Sequence, residues 1–438
     1  MSKAQLTKYI GVFFVLLTLN EASKSNHLPF VNTTLTWIIN ASLIFLCIIY
    51  SIKQKLFLSK CYLFCSTFLI WALVGAIRGI YYFENYWIVK NYISGLFSIS
   101  LPIFAYVFSR PEATLFILRF WNKFIFPSYL FVFSWLSRTG TLHFYLGPIY
   151  FLYGVFFRFI YNKWKYLILY IVLFMLVANI GARSQVIKAA VCIMMAIAIY
   201  FKKYIPIIVV KIASISFYFL ALTFLYLGIT GKFNIFDHTD YEAMNKPLIF
   251  QDGHFESLDL ANGNLADTRS FIYIEVILSA LDNDYVLCGR TIARGNDSET
   301  FKAASMTGYA ERYRNELCHL TIFTWLGLVG VVLYSFIYFQ ASILSSFFSN
   351  NIYLTYLGAL VSFHWLYGWI EDMNNLNPMN IALWMIIGMC ISPYFRKMNN
   401  LEFELWFKSI FANSRMIPYT IFKILKLKKT LSLFISKY

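Results

Sequence analysis

Arg314-Asn-Glu-Leu-Cys-His319 runs without a break into Leu320-Thr-Ile-Phe-Thr-Trp-Leu-Gly-Leu-Val-Gly330, and the apolar run continues to Phe339. The first half closes a polar interval, Thr230–Leu317, which carries 14 of the chain's 21 acidic residues. The second half opens a segment about as long as a helix needs to cross hydrocarbon. A charged loop emptying into an apolar helix predicts an all-α integral membrane protein whose chemistry sits at a helix mouth.

Composition agrees. The 438 residues are 59% hydrophobic, 20% aromatic and only 13% charged, with a positive mean hydropathy. A water-soluble fold of this size cannot hide so much apolar surface. The apolar runs lack the alternation of a barrel strand, and backbone in lipid must hydrogen-bond within its own segment, so helices are expected. About 12 of them fall near 9–22, 34–51, 61–78, 92–109, 120–137, 144–161, 166–182, 185–201, 204–229, 318–345, 352–370 and 378–395. The chain then divides into transmembrane helices over 1–229, a large, partly helical loop over 230–317, further helices over 318–395, and a basic tail over 396–438.

Charge alternates across these spans as membrane topology requires. One side takes Lys3 and Lys8, Lys53 to Lys60, Arg110 and Arg119, Arg158 to Lys165, Lys202 and Lys203, and Arg396 with Lys397. The other takes Arg183, the long loop, and Glu371 with Asp372. Both termini are therefore expected in the cytoplasm and the loop outside. The formal charge of +16 is scattered between apolar runs and reads as a topology signal, so no nucleic-acid partner is expected. The tail, with Lys423, Lys426, Lys428 and Lys429 among Ile, Leu and Phe, reads as a helix lying on the anionic lipid bilayer.

Within the loop, Arg269 opens an amphipathic run (Phe271, Ile274, Ile277, Leu278, Leu281) that ends at Asp282-Asn-Asp284. Gly289 to Asp297 is turn-rich and carries Arg290 and Arg294. Cys288 and Cys318 are either a disulfide or two thiols. Arg183 lies in a short link between strongly apolar helices, where a guanidinium is costly unless it meets an anion or caps a helix. With Arg269, Arg290 and Arg294 on the same side, it offers forked donors suited to a diphosphate. Glu316 and His319 share a helix face at i, i+3, so either is a candidate general base; dipole interaction and simple packing are the plainer readings. Glu371 and Asp372 are candidate sugar contacts or ordinary loop acids. No phosphate-cradling loop and no Cys or His pair at metal spacing occurs, and the one outward Asp-x-Asp, Asp282 with Asp284, reads as a turn in preference to a metal holder, so no cofactor or metal is expected. The energy for any reaction must then arrive with the substrate.

These pieces together resemble the O-antigen polymerase (Wzy) family, related to the O-antigen ligases. The resemblance rests on Gly181-Ala-Arg-Ser184, on Thr268-Arg-Ser-Phe-Ile-Tyr273 some twenty residues before Gly289, and on Leu326-Gly-Leu-Val-Gly330. In the ligases a His-Asn pair stands eleven residues before the first glycine of the last motif; here Glu316 and Leu317 occupy those places and His319 is out of register. The resemblance implies a C-type glycosyltransferase-like fold and a metal-independent polymerase of undecaprenyl-pyrophosphate-linked glycan, making surface polysaccharide for lipopolysaccharide at the periplasmic face. It implies Glu316 as base with His319 in reserve, and Arg183 and Arg269, helped by Arg290 or Arg294, on the diphosphate. Donor and acceptor are both lipid-linked glycans, with a chain-length regulator as a further partner. A ligase-like transferase and a lipid-linked oligosaccharide flippase or transporter are the alternatives.

Overall fold

The computed structural model describes residues 2–25, 32–136, 147–160, 163–178, 183–229, 249–251, 254–256, 268–298 and 307–411. Its helices are α1 (Lys3–Ser25), α2 (Thr33–Lys53), α3 (Leu63–Gly79), α4 (Tyr86–Ile99), α5 (Ile103–Phe108), α6 (Pro111–Leu136), α7 (Lys163–Ala178), α8 (Arg183–Tyr200), α9 (Ile207–Ile229), α10 (Thr268–Asp282), α11 (Cys318–Phe347), α12 (Ile352–Tyr367), α13 (Pro378–Ile391), α14 (Pro393–Arg396) and α15 (Asn400–Ser409). Two short antiparallel pairs join them: β1 (Ile249–Gln251) with β2 (His254–Glu256), and β3 (Asn296–Asp297) with β4 (Glu311–Arg312).

Among the described residues, four helical stretches are long and apolar enough to cross a membrane: Thr33–Lys53, Lys60–Tyr82, Tyr86–Phe108 and Cys318–Phe347. Shorter apolar helices accompany them, among them Val186–Tyr200 and Pro378–Ile391. These mark a membrane protein. Every residue of α13 is buried, as an apolar helix without a polar stripe must be. It packs on α5, with Gly388 letting the backbones meet at Ala105. Large apolar side chains on the outer helices, such as Phe45, Ile70, Met194 and Phe219, are exposed as lipid-facing residues are.

Three expectations need correction. The run 144–161 is not a continuous helix over its described residues; it folds into short turns at Ile149–Tyr153 and Phe157–Phe159. Phe151, Tyr153 and Phe156 are buried inside the bundle, so their apolarity serves the core and not lipid. The span expected near 120–137 is part of a longer helix from Pro111, and Arg119 within it donates to Ser409 O at the end of α15 (2.7 Å). The described start of the basic tail, α15, is held by an Asn399–Glu402 capping box and packed through Phe403 and Phe407; the lysines from 423 onward, on which the lipid-surface reading rests, lie outside the described residues. The loop helix α10 forms where expected, but buries Ile272 and Val276 against Leu317 and Leu320, while Ile274, Ile277, Leu278 and Leu281 are exposed. Asp284 (φ 52) closes α10: Tyr285 N donates to Ala280 O (3.1 Å), so Asp282-Asn-Asp284 is a helix stop.

α11 breaks at Gly327 (φ 69), and the break is answered by the loop. Leu328 N donates to Val286 O (2.8 Å), Val329 N to Leu287 O (3.3 Å), and Arg290 N to Thr324 O (2.7 Å). Gly289, also left-handed (φ 72), lies so close that a Cβ on either glycine would overlap the other strand of backbone. Arg78 in α3 braces this seam from Nη1 to Cys288 O (2.9 Å) and Nη2 to Gly289 O (3.1 Å). Irregular backbone at a membrane helix is stable only when protein supplies its hydrogen bonds, as here.

Candidate functional site

Residues 368–377, the turn between α12 and α13, gather side chains from separate parts of the chain. The first backbone donors of α11 are met here: Cys318 N donates to Glu371 O (3.1 Å) and His319 N to Gly368 O (3.3 Å). Asn374 Nδ2 donates to Cys318 O (3.0 Å). From α8, Lys188 Nζ donates to Glu371 Oε1 (2.6 Å), with the lysine side chain only 4% exposed. From the loop, Arg314 Nε donates to Asp372 Oδ2 (2.7 Å) and Nη2 to Ser98 Oγ (3.1 Å). From α10, Tyr273 OH donates to Trp369 O.

That geometry locates the sequence candidates. Arg183 is the first residue of α8, about 7 Å of axial rise before Lys188. Arg269 is the second residue of α10, one turn before Tyr273. The backbone thus brings both arginines within a turn and a half of residues that touch 369 and 371; their side chains, and Gly181-Ala182 of the first motif, lie outside the described residues.

Glu316 and His319 share the α11 mouth but not an environment. Glu316 is exposed. His319 is buried, with its ring 4.4 Å from the Trp369 ring and its Nε2 2.9 Å from Trp365 O. A carbonyl only accepts, so Nε2 carries the proton and Nδ1 is the basic nitrogen. That Nδ1 is buried without a partner, as are Glu371 Oε2 and Trp369 Nε1 of the 368–377 turn and Asn315 Oδ1 before α11.

Arg290 and Arg294 go elsewhere. Arg290 Nη1 donates to Asp297 Oδ1 (2.6 Å), and its Nη2 stands 3.2 Å from Glu311 Oε1. Arg294 Nε donates to both Glu311 oxygens (2.9 and 3.0 Å) while its guanidinium stacks 3.8 Å over the Tyr309 ring. Burial opposes the charge on both sides of this cluster. Even so, Arg290, Asn283 and Ser279 hold the Asp297 carboxyl below its ordinary range, and Glu311 lifts the Arg294 pKa. Both loop guanidiniums close the loop on its own carboxylates. Glu371 and Asp372, candidate sugar contacts or ordinary loop acids, each hold a cation. Cys288 and Cys318 are unpaired thiols, and Cys318 Sγ lies 3.2 Å from Asn374 Oδ1.

Lys188 and Arg314 are the residues sequence reasoning missed. A lone lysine two residues into the apolar stretch Val186–Tyr200 was the available signal, since a buried ammonium needs a named partner.

The chain matches no family model, no curated protein and no solved structure.

Proposed function

We propose that the chain polymerises lipid-linked oligosaccharide units at the outer face of the bacterial inner membrane, with the loop periplasmic and both termini cytoplasmic. The donor is a glycan on undecaprenyl pyrophosphate, and the acceptor is the non-reducing end of a second such unit. The acceptor hydroxyl oxygen forms a bond to the donor's anomeric carbon. The bond from that carbon to the diphosphate breaks, and the lipid diphosphate leaves with the electron pair.

Each residue has a task in that step. Glu316, the exposed carboxylate at the α11 mouth, takes the hydroxyl proton, an effect on the order of 10²–10⁴ in rate. Arg183 and Arg269 offset the charge growing on the departing diphosphate. Lys188–Glu371 and Arg314–Asp372 fix the turn on which these parts meet. The observation that carries the reading is the convergence of α8, α10 and the α11 mouth on residues 368–372.

The test is complementation of the native host with its own copy removed, read as the length ladder of surface glycan. Wild-type protein restores a ladder of many repeats, and its loss leaves single units. An unchanged ladder without the protein overturns the proposal; long lipid-bound chains that are never transferred onward assign a ligase instead.

A further inference from the structure

The end of the bundle away from the 368–372 turn holds a second polar feature that the proposed reaction does not use. Lys202 lies just past α8, about 20 Å along its axis from Lys188. There Arg158, Lys202 and Lys408 line a cavity of about 240 Å³ together with Glu404, Phe159 and Ile160. The volume is that of roughly eight waters, enough for a phosphodiester.

Three cations face one carboxylate across this cavity. That carboxylate is already engaged: Glu404 Oε1 stands 3.5 Å from Lys202 Nζ and accepts from Tyr353 OH. Arg158 donates one N–H to Tyr200 O (3.2 Å), and a guanidinium has five. The floor is apolar and fixed, since Phe159 and Ile160 are buried and Tyr353 stacks on Phe403 with ring centroids 5.4 Å apart. Beside the mouth Tyr200, Phe201 and Tyr204 are exposed, the aromatic residues found at headgroup depth. Basic pockets between membrane helices at this depth hold anionic headgroups.

We propose that this cavity is a binding site for a phosphate group, supplied by an anionic phospholipid headgroup. Cations from three separate segments face one concavity with an apolar floor, and that arrangement separates it from ordinary surface lysines.

The test uses the full chain purified in detergent and stripped of lipid. Native mass spectrometry measures binding of phosphatidylglycerol, of phosphatidylcholine, and of inorganic phosphate. Wild-type protein should bind phosphatidylglycerol in preference to phosphatidylcholine. Lys202→Gln with Lys408→Gln should weaken that binding roughly tenfold or more. Lys203→Gln, the same charge change at the exposed neighbour, should leave it intact. Should the double variant lose its monodisperse elution, the exposed Arg158→Gln gives the same comparison. Inorganic phosphate competing equally well would keep the phosphate site and reassign its source to free anion. Equal lipid binding by wild type and cavity variants, or equal loss in Lys203→Gln, overturns the proposal.

Discussion

Glu311 and Glu371 are both surrounded by cations, and the two surroundings differ in kind. At Glu311 two guanidiniums from one short stretch, Arg290 and Arg294, close on a single carboxylate that also accepts from Gly295 N (3.1 Å). At Glu371 one oxygen takes Lys188 from a distant helix while the other is buried without a partner, and the backbone oxygen of the same residue accepts from Cys318 N at the α11 mouth. The first cluster is a latch that holds the loop to itself. The second is assembled from separate elements, and there the account places the chemistry.

The comparison breaks most visibly through the arginines. Arg183→Ala or Arg269→Ala should cut glycan polymerisation on the order of 10²–10³-fold at normal protein level, the effect of losing one transition-state donor. Arg290→Ala should leave the ladder while raising protease sensitivity of the loop; a lost ladder with an intact loop would move the latch into the active site.

Glu316→Gln should cost on the order of 10² or more in polymerisation rate, and His319→Ala less. The opposite ranking in an in vitro chain-length assay would hand the base to the buried imidazole.

Stability sharpens the comparison next. Lys188→Met strands a carboxylate that is 19% exposed, and removing one partner of such a pair costs about 3–5 kcal/mol. Adding Glu371→Gln should recover a large part of it, read as thermal unfolding in detergent. Full stability in the single variant would show that the pair is not closed in the membrane.

The smallest effect is one of pH. Asp297 has its folded pKa held below the ordinary 3.8, so its contribution is complete above that value and is lost as pH falls through the lowered one. The half-exposed pair is screened, so the amount is under about 1 kcal/mol. Loop amide protection, taken relative to the intrinsic exchange rate at each pH, should fall in acid, and Asp297→Asn should remove that dependence; an unaltered profile in the variant assigns the acid step to another group.

Much of the architecture was legible because apolar length is a strong signal: α2, α3, α11 and α13 fall close to the expected runs. The run 144–161 misled because hydropathy does not distinguish a side chain facing lipid from one facing protein. The loop helix was read from its 3.6 period, but its buried stripe is set by Leu317 and Leu320, which sequence order places forty residues away. In the site, the α11 mouth and the two glycines were visible as motifs. Gly289 and Gly327 prove to be the facing halves of one seam. Lys188 escaped because window averages dilute a single ammonium, and its partner lies 183 residues downstream. The carboxylate that Arg290 and Arg294 share was hidden from the sequence because it arrives on β4, and no local pattern announces a two-residue bridge.

The most direct test of the central claim is a distance between the first turns of α8 and α10. Arg183→Cys and Arg269→Cys, in a background with Cys288→Ser, should be joined by a short bifunctional maleimide in native membranes, as efficiently as a Glu84→Cys, Tyr309→Cys control, whose native side chains meet at the exposed surface. Efficient control cross-linking with none between 183 and 269 would contradict the account.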